Sequence, residues 1–254
     1  MPLHIQTPLV ESRRLSLLCG RAVWLKLDAL QVPGSFKIRG VGFACETHAR
    51  RGARRFVSSS GGNAGLAVAY AGRRLAIPVT VVVPETTTET AKELLRLEGA
   101  EVVVHGASWQ EANDLALSLV GADDAFVHPF DDPLLWQGHA TMIDEVAQAG
   151  LKPDAVVLSV GGGGLLSGVA EGLQRNGWGG VPILAVETAG AASFRAATEA
   201  GRPVELARLA SIASSLGAKR VCDQALRWWQ QRPIRSVVVS DASALARTLT
   251  ITET

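Results

Sequence analysis

Short, almost wholly apolar runs alternate along the chain with longer segments whose apolar positions recur every three or four residues. The short runs are AVWLKL (22–27), RFVSS (55–59), VTVVV (79–83), EVVV (101–104), AFV (125–127), AVVLSV (155–160), PILAVE (182–187) and SVVV (236–239). Runs of this length with no polar face are the mark of strands covered on both sides. Between them, the spacing predicts helices over Asn63 to Leu75, Thr88 to Glu98 and Trp109 to Leu119. Strand–helix alternation of this kind predicts crossover units and parallel sheet, and so an α/β fold. Gly99 closes the second of those helices, and Asp132-Pro133 opens another through an Asp cap and a proline at the first helical position. No Pro/Ser linker, low-complexity tract or tandem repeat interrupts the pattern, so any division into two domains has to be made by interleaved segments.

Composition narrows the function classes. Hydrophobic residues make up 47% of the 254 positions and charged residues 19%, enough apolar material for a sizeable core. The formal net charge of +1 argues against a nucleic-acid binder working through bulk charge. No apolar run approaches the roughly 18 residues of a membrane span, and the first residues, MPLHIQTPLVESRRL, lack the basic-then-apolar layout of a secretory signal. Cys19, Cys45 and Cys222 are far apart and form no CxxC, so they read as plain thiols of a cytoplasmic protein.

Candidate chemistry collects at three strand-to-helix junctions, where open α/β sheets bind their ligands. The first is Pro33-Gly34-Ser35-Phe36-Lys37-Ile38-Arg39-Gly40. The chain has only five lysines against a large excess of arginine, and Lys37 fits two readings. It is either a solvated ammonium on a helix start or an amine made nucleophilic by desolvation. Ser35 is the expected cap, which puts Lys37 in the first turn. The second junction, Ser58-Ser59-Ser60-Gly61-Gly62-Asn63-Ala64-Gly65, follows a strand and is either an anion-binding nest or a plain turn capped by Asn63. The third is Gly161-Gly162-Gly163-Gly164-Leu165. Four consecutive glycines are conformationally expensive unless backbone must approach something closely, and a phosphate on a helix N-terminus is the favoured explanation. The spacing matches neither G-x-G-x-x-G nor G-x-x-x-x-G-K-[ST], which disfavours a dinucleotide or a nucleoside triphosphate. The five histidines show no metal-ligand spacing and read as structural or surface residues, and there is no G-x-S-x-G elbow.

S-F-K-x-R-G, S-S-G-G-N-A-G and G-G-G-G-L, in that order, resemble the fold-type-II pyridoxal-phosphate enzymes. Within them the chain is most similar to the catabolic L-serine/L-threonine dehydratases, in the serine dehydratase-like branch. The segments Pro129 to His139 and Glu187 to Phe194 resemble that branch too, and the likeness runs from about Thr7 to about Leu249. It implies two interleaved open-sheet α/β domains of the tryptophan-synthase-β-like type. Residues 1–38 plus 135–254 would form the large cofactor domain, and 39–134 the small domain with the substrate carboxylate loop.

The resemblance also implies roles. Lys37 would hold pyridoxal 5'-phosphate as a Schiff base and remove the substrate's α-proton, with Phe36 against the pyridine ring. Ser60, Gly61, Gly62, Asn63 and Ala64 would bind the substrate carboxylate, and Asn63 would also touch the cofactor's phenolic oxygen. Gly161, Gly162, Gly163, Gly164 and Leu165 would cradle the phosphate. Glu187, Ala191 and Ser193 match a site for a monovalent cation such as K+. The implied reaction is dehydration and deamination of L-serine or L-threonine to pyruvate or 2-oxobutanoate plus ammonia, by a cytoplasmic homodimer with no nucleic-acid or membrane partner.

Family members continue beyond the point matching Thr254, with a segment resembling E-P-A-C-G-A-A-L-A whose Ser or Cys faces the pyridine nitrogen. The resemblance therefore implies a large domain incomplete at its C-terminus. It leaves two alternatives beside the dehydratase: a non-catalytic or weakly active cofactor-binding fragment, and another fold-type-II lyase or racemase.

Overall fold

The computed structural model describes residues 1–252, with side chains up to Ala246. In chain order the elements are β1 (Leu9–Glu11), α1 (Arg13–Cys19), β2 (Trp24–Lys26), α2 (Lys37–Arg50), β3 (Arg55–Ser58), α3 (Asn63–Leu75), β4 (Val79–Val83), α4 (Glu89–Leu97), β5 (Glu101–Val104), α5 (Trp109–Ser118) and β6 (Asp124–Phe126). They continue with α6 (Pro133–Gln148), β7 (Val156–Ser159), α7 (Gly164–Arg175), β8 (Ile183–Thr188), α8 (Ser193–Ala200), α9 (Asp223–Gln231), β9 (Ile234–Val239) and α10 (Asp241–Thr252). The predicted strands and helices agree with these to within a few residues. The exception in kind is the 22–27 run, whose central part, β2, pairs antiparallel with β1 and joins neither parallel sheet.

The chain forms two compact units, residues 1–6 with 28–139 and residues 7–27 with 140–254. This groups 28–38 and 135–139 with the 39–134 segment. The reason lies in the core: Ile38 and Val41 of α2 and Leu135 of α6 pack in one cluster with Phe56, Val68, Tyr70 and Val81. Arg39, fully buried, adds a two-pronged ion pair to Asp28, with Nε to Oδ2 at 2.6 Å and an Nη2 to Oδ1 bond of 2.9 Å.

In the first unit the strand order is β5-β4-β3-β6, all parallel. Side chains alternate across a strand, so Val79, Val81 and Val83 of β4 join Phe56 in the cluster that includes α2 and α3. Val82 joins Val57, Ala112 and Ala116 in a second cluster with α5. Both faces are therefore covered, which is why VTVVV carries no solvent face; each fully buried Val or Phe contributes roughly 1.5–3 kcal/mol.

The second unit has a parallel sheet in the order β7-β8-β9 and the β1-β2 pair. Leu166, Val169 and Leu173 of α7 and Phe194 of α8 are buried in it. The segment before α1 is held by Lys26, whose ammonium bonds Glu145 and the carbonyl of Thr7. All three cysteines are free thiols. Among the described residues no helix is long and apolar enough to cross a membrane.

Candidate active site

The candidate residues sit where strands end, and they divide between the units. Phe36, Lys37 and Ser60 to Ala64 belong to the first; Gly161 to Leu165, Glu187, Ala191 and Ser193 belong to the second.

In the first unit Lys37 opens α2, but Ser35 does not cap it. Phe36 occupies the cap position already in helical conformation (φ −56°, ψ −17°), which leaves no extended residue to turn a hydroxyl onto the first amides. The Ser35 hydroxyl is instead buried with no hydrogen-bond partner among the described residues. Lys37 itself is half-buried rather than fully exposed. Its Nζ donates to the carbonyl of Pro129 at 2.6 Å and lies 5.4 Å from the centre of the Phe36 ring.

Pro129 follows β6, and the Ser59 to Gly62 loop follows β3, its parallel neighbour. The two loops therefore leave the same end of adjacent strands, the crevice in which open sheets bind ligands. The loop after β3 is tied down from behind. Ser58 donates to Val127 O (3.2 Å), and Ser59 donates to Asn113 Oδ1 (2.8 Å), both pairs buried. Ser60 Oγ accepts the N–H of Gly62 at 3.3 Å. Glycine is required at position 65, where a Cβ would lie 1.8 Å from the backbone Ser60 O, whereas a Cβ on Gly61 would lie 2.7 Å from the Thr87 methyl, a side-chain atom. No side chain caps α3, and Asn63 is its first residue rather than its cap. The first-turn N–H groups are thus left for an anion.

Two histidines border Lys37, although the histidine pattern pointed to structural or surface roles. His128 is pushed down to about 4 by burial and by the charge of Lys37. His139 is fully buried, and burial, then Lys37, Arg39 and His4, hold it well below the usual imidazole range. Its ring meets Phe36 edge-on at 5.0 Å, and neither of its nitrogens has a hydrogen-bond partner among the described residues. Gly40 makes room for it, since a Cβ there would lie 2.7 Å from His139 Nε2. His128 follows the end of β6 and His139 lies within α6, so the signal available in the sequence was the place of His128 after a strand, not any ligand spacing.

In the second unit the four glycines follow β7 and lead into α7. A Cβ on Gly161 would lie 1.7 Å from Leu216 O. Gly163 has φ +88°, and a Cβ there would crowd Val221, Ala225 and Cys222. The loop is pinned by Cys222 N–H, which donates to Gly162 O at 2.9 Å. α7 has no side-chain cap. Its first N–H groups and the bare backbone before them suit a phosphate in size and charge.

Glu187, at the end of the neighbouring strand β8, accepts the N–H groups of Phe194 and Arg195 at 2.8 Å each. Burial nonetheless raises its carboxyl to about 7. Ala191 closes the turn between β8 and α8, and the buried Ser193 hydroxyl has no partner among the described residues. No cluster of three or more His, Cys, Asp or Glu side chains suited to a metal ion occurs among the described residues.

Within the first unit, a half-buried amine beside an aromatic ring and an uncapped helix start suit a carbonyl cofactor and a carboxylate; within the second, the glycine loop suits a phosphate. The comparisons agree. Residues 1–254 match the family model "Pyridoxal-phosphate dependent enzyme". The human L-serine dehydratase/L-threonine deaminase is 50% identical over 248 residues, covering 96% of this chain and 76% of the relative. The mouse serine dehydratase-like protein is also 50% identical, over 96% of this chain and 75% of its own. The crystal structure of a fungal L-serine ammonia-lyase from Rhizomucor miehei superposes with a TM-score of 0.89 at 36% identity, covering 95% of this chain and 78% of that one. The chain therefore belongs to the fold-type-II pyridoxal-phosphate-dependent enzymes, in the L-serine/L-threonine dehydratase family.

Proposed function

We propose that the chain catalyses the pyridoxal-phosphate-dependent β-elimination of L-serine and L-threonine, giving pyruvate or 2-oxobutanoate and ammonia. The observation that carries this reading is the Lys37 amine, half-buried and held 2.6 Å from Pro129 O, in the same unit as the uncapped start of α3. Bound to this chain, the cofactor would supply an electron sink for the pair left on the substrate's α-carbon.

The protein's own groups do the rest. Lys37 would anchor the cofactor, and its Nζ is the base for the α-proton, since the Pro129 carbonyl fixes where the amine points. Phe36 would pack on the pyridine ring, held edge-on by His139. The N–H groups of Ser60 to Ala64 would take the substrate carboxylate, and Asn63 the cofactor's phenolic oxygen. Gly161 to Leu165 would hold the phosphate on the first turn of α7. The buried, unpartnered Ser193 hydroxyl supports placing a monovalent cation with Glu187 and the carbonyl of Ala191.

Borohydride reduction of the loaded protein followed by peptide mass spectrometry tests the anchor. The expected result is a pyridoxyl group on Lys37, together with pyruvate release from L-serine. Cofactor uptake without pyruvate would favour a non-catalytic fragment, and D-serine in place of pyruvate would favour a racemase. A label on any lysine other than Lys37 would overturn the site.

A further inference from the structure

His128 stands one residue before the carbonyl that holds Lys37. Its Nδ1 accepts two backbone N–H groups, from Phe130 at 3.2 Å and Asp131 at 2.7 Å. That nitrogen is therefore unprotonated, and the proton of the neutral ring is on Nε2. The rings of Phe126 and Phe130 meet the imidazole edge-on, with centroids 6.2 and 4.7 Å away. On the far side of the turn, Phe130 O accepts Trp136 Nε1–H at 3.0 Å, and Asp132 Oδ1 accepts Leu134 N–H at 2.7 Å. The 128–131 turn is thus held closed at one end by an imidazole and at the other by α6. Pro129 lies between the two anchors, and its carbonyl meets Lys37 Nζ at 2.6 Å.

We infer that His128 is a positioning residue for Lys37: its Nδ1 holds the 128–131 turn so that the Pro129 carbonyl fixes the direction of the amine. This rests on the reading of Lys37 as the reacting amine. A free lysine side chain samples many rotamers, and a base displaced by about 1 Å loses much of its advantage. The carbonyl removes that freedom, but only while the turn keeps its shape. The depressed affinity of His128 for a proton keeps Nδ1 an acceptor throughout the neutral range.

The test compares His128→Leu with His128→Asn in the full chain. Leucine removes the acceptor and keeps the apolar contact; asparagine returns an oxygen close to where Nδ1 sits. With the cofactor removed, Lys37 is labelled by an amine-selective acylating reagent and its rate read by peptide mass spectrometry. With the cofactor present, kcat and KM for L-serine are measured, and thermal unfolding monitors the fold. In His128→Leu the amine is released, so labelling speeds up and kcat falls roughly tenfold, the worth of one oriented hydrogen bond, with KM within about twofold. His128→Asn brings both readouts back toward the wild-type values.

Leucine and asparagine variants that behave alike at equal thermal stability would overturn the inference. So would a wild-type His128 found by ¹⁵N NMR as the Nδ1–H tautomer, a readout that needs no variant to fold. If the wild-type chain releases no pyruvate, the proposed reaction fails, while the labelling rates and the tautomer still judge His128.

Discussion

One methyl group at Gly161 probes the proposed phosphate cradle directly. An alanine Cβ would lie 1.7 Å from the carbonyl oxygen of Leu216 and 2.9 Å from its carbonyl carbon. Ordinary contact between such atoms needs about 3.5 Å. The obstacle is backbone, so no side-chain rotation relieves it, and either the glycine loop or the Leu216 segment has to move. Overpacking of this kind costs roughly 1–3 kcal/mol. If the loop yields and the fold is kept, that cost falls on the cofactor, whose Kd weakens roughly 5- to 150-fold. Gly180→Ala is the control in the same unit, since a Cβ there meets nothing within 4 Å. The assay is a spectroscopic titration of each variant with pyridoxal phosphate beside thermal unfolding. A Gly161→Ala protein with wild-type cofactor affinity and wild-type stability would refute the reasoning.

Three further outcomes follow from other parts of the molecule. Arg39→Met removes both hydrogen bonds that the guanidinium gives the buried Asp28 carboxylate and should cost roughly 3–5 kcal/mol in denaturant unfolding, whereas the Asp28→Leu/Arg39→Met pair should recover most of it. A double variant as unstable as the single one would contradict this. His128 titrates at about 4 when folded and near its ordinary value of about 6.5 when unfolded, so its contribution is complete above pH 6.5 and is lost as pH falls toward 4, worth up to about 3 kcal/mol. Stability curves of wild type and His128→Leu between pH 7 and pH 4 should therefore converge toward the acid end. Gly61→Ala pushes a Cβ to 2.7 Å from the Thr87 methyl and should raise KM for the amino acid, and Thr87→Ser, which removes that methyl, should restore it.

Elements whose signal is local were legible in the sequence. α3 runs from Asn63 to Leu75 as its apolar spacing and following loop predict, and β4 and β5 begin and end as their valine runs do. The glycine junctions were legible for the same reason, because close backbone approach is written in the missing side chains themselves. What was hidden depends on partners distant in the chain. Ser35 looked like a cap because serine usually is one, yet the backbone at Phe36 is already helical. Asp28 with Arg39, and Leu135 with Ile38, draw the compact units around 28–38 and 135–139, and no pattern within either segment reports that pairing. His128 and His139 look ordinary in the sequence because the lysine they border lies roughly a hundred residues away.

If Lys37 drives elimination on a bound amino acid, product release depends on its amine. The direct measurement is pyruvate release from L-serine by the chain and by Lys37→Ala, each with saturating pyridoxal phosphate and matched for thermal stability. Steady release and a cofactor absorbance band are expected from the first, and loss of both in the second. Equal pyruvate from the two proteins, or none from either, would contradict this role of Lys37.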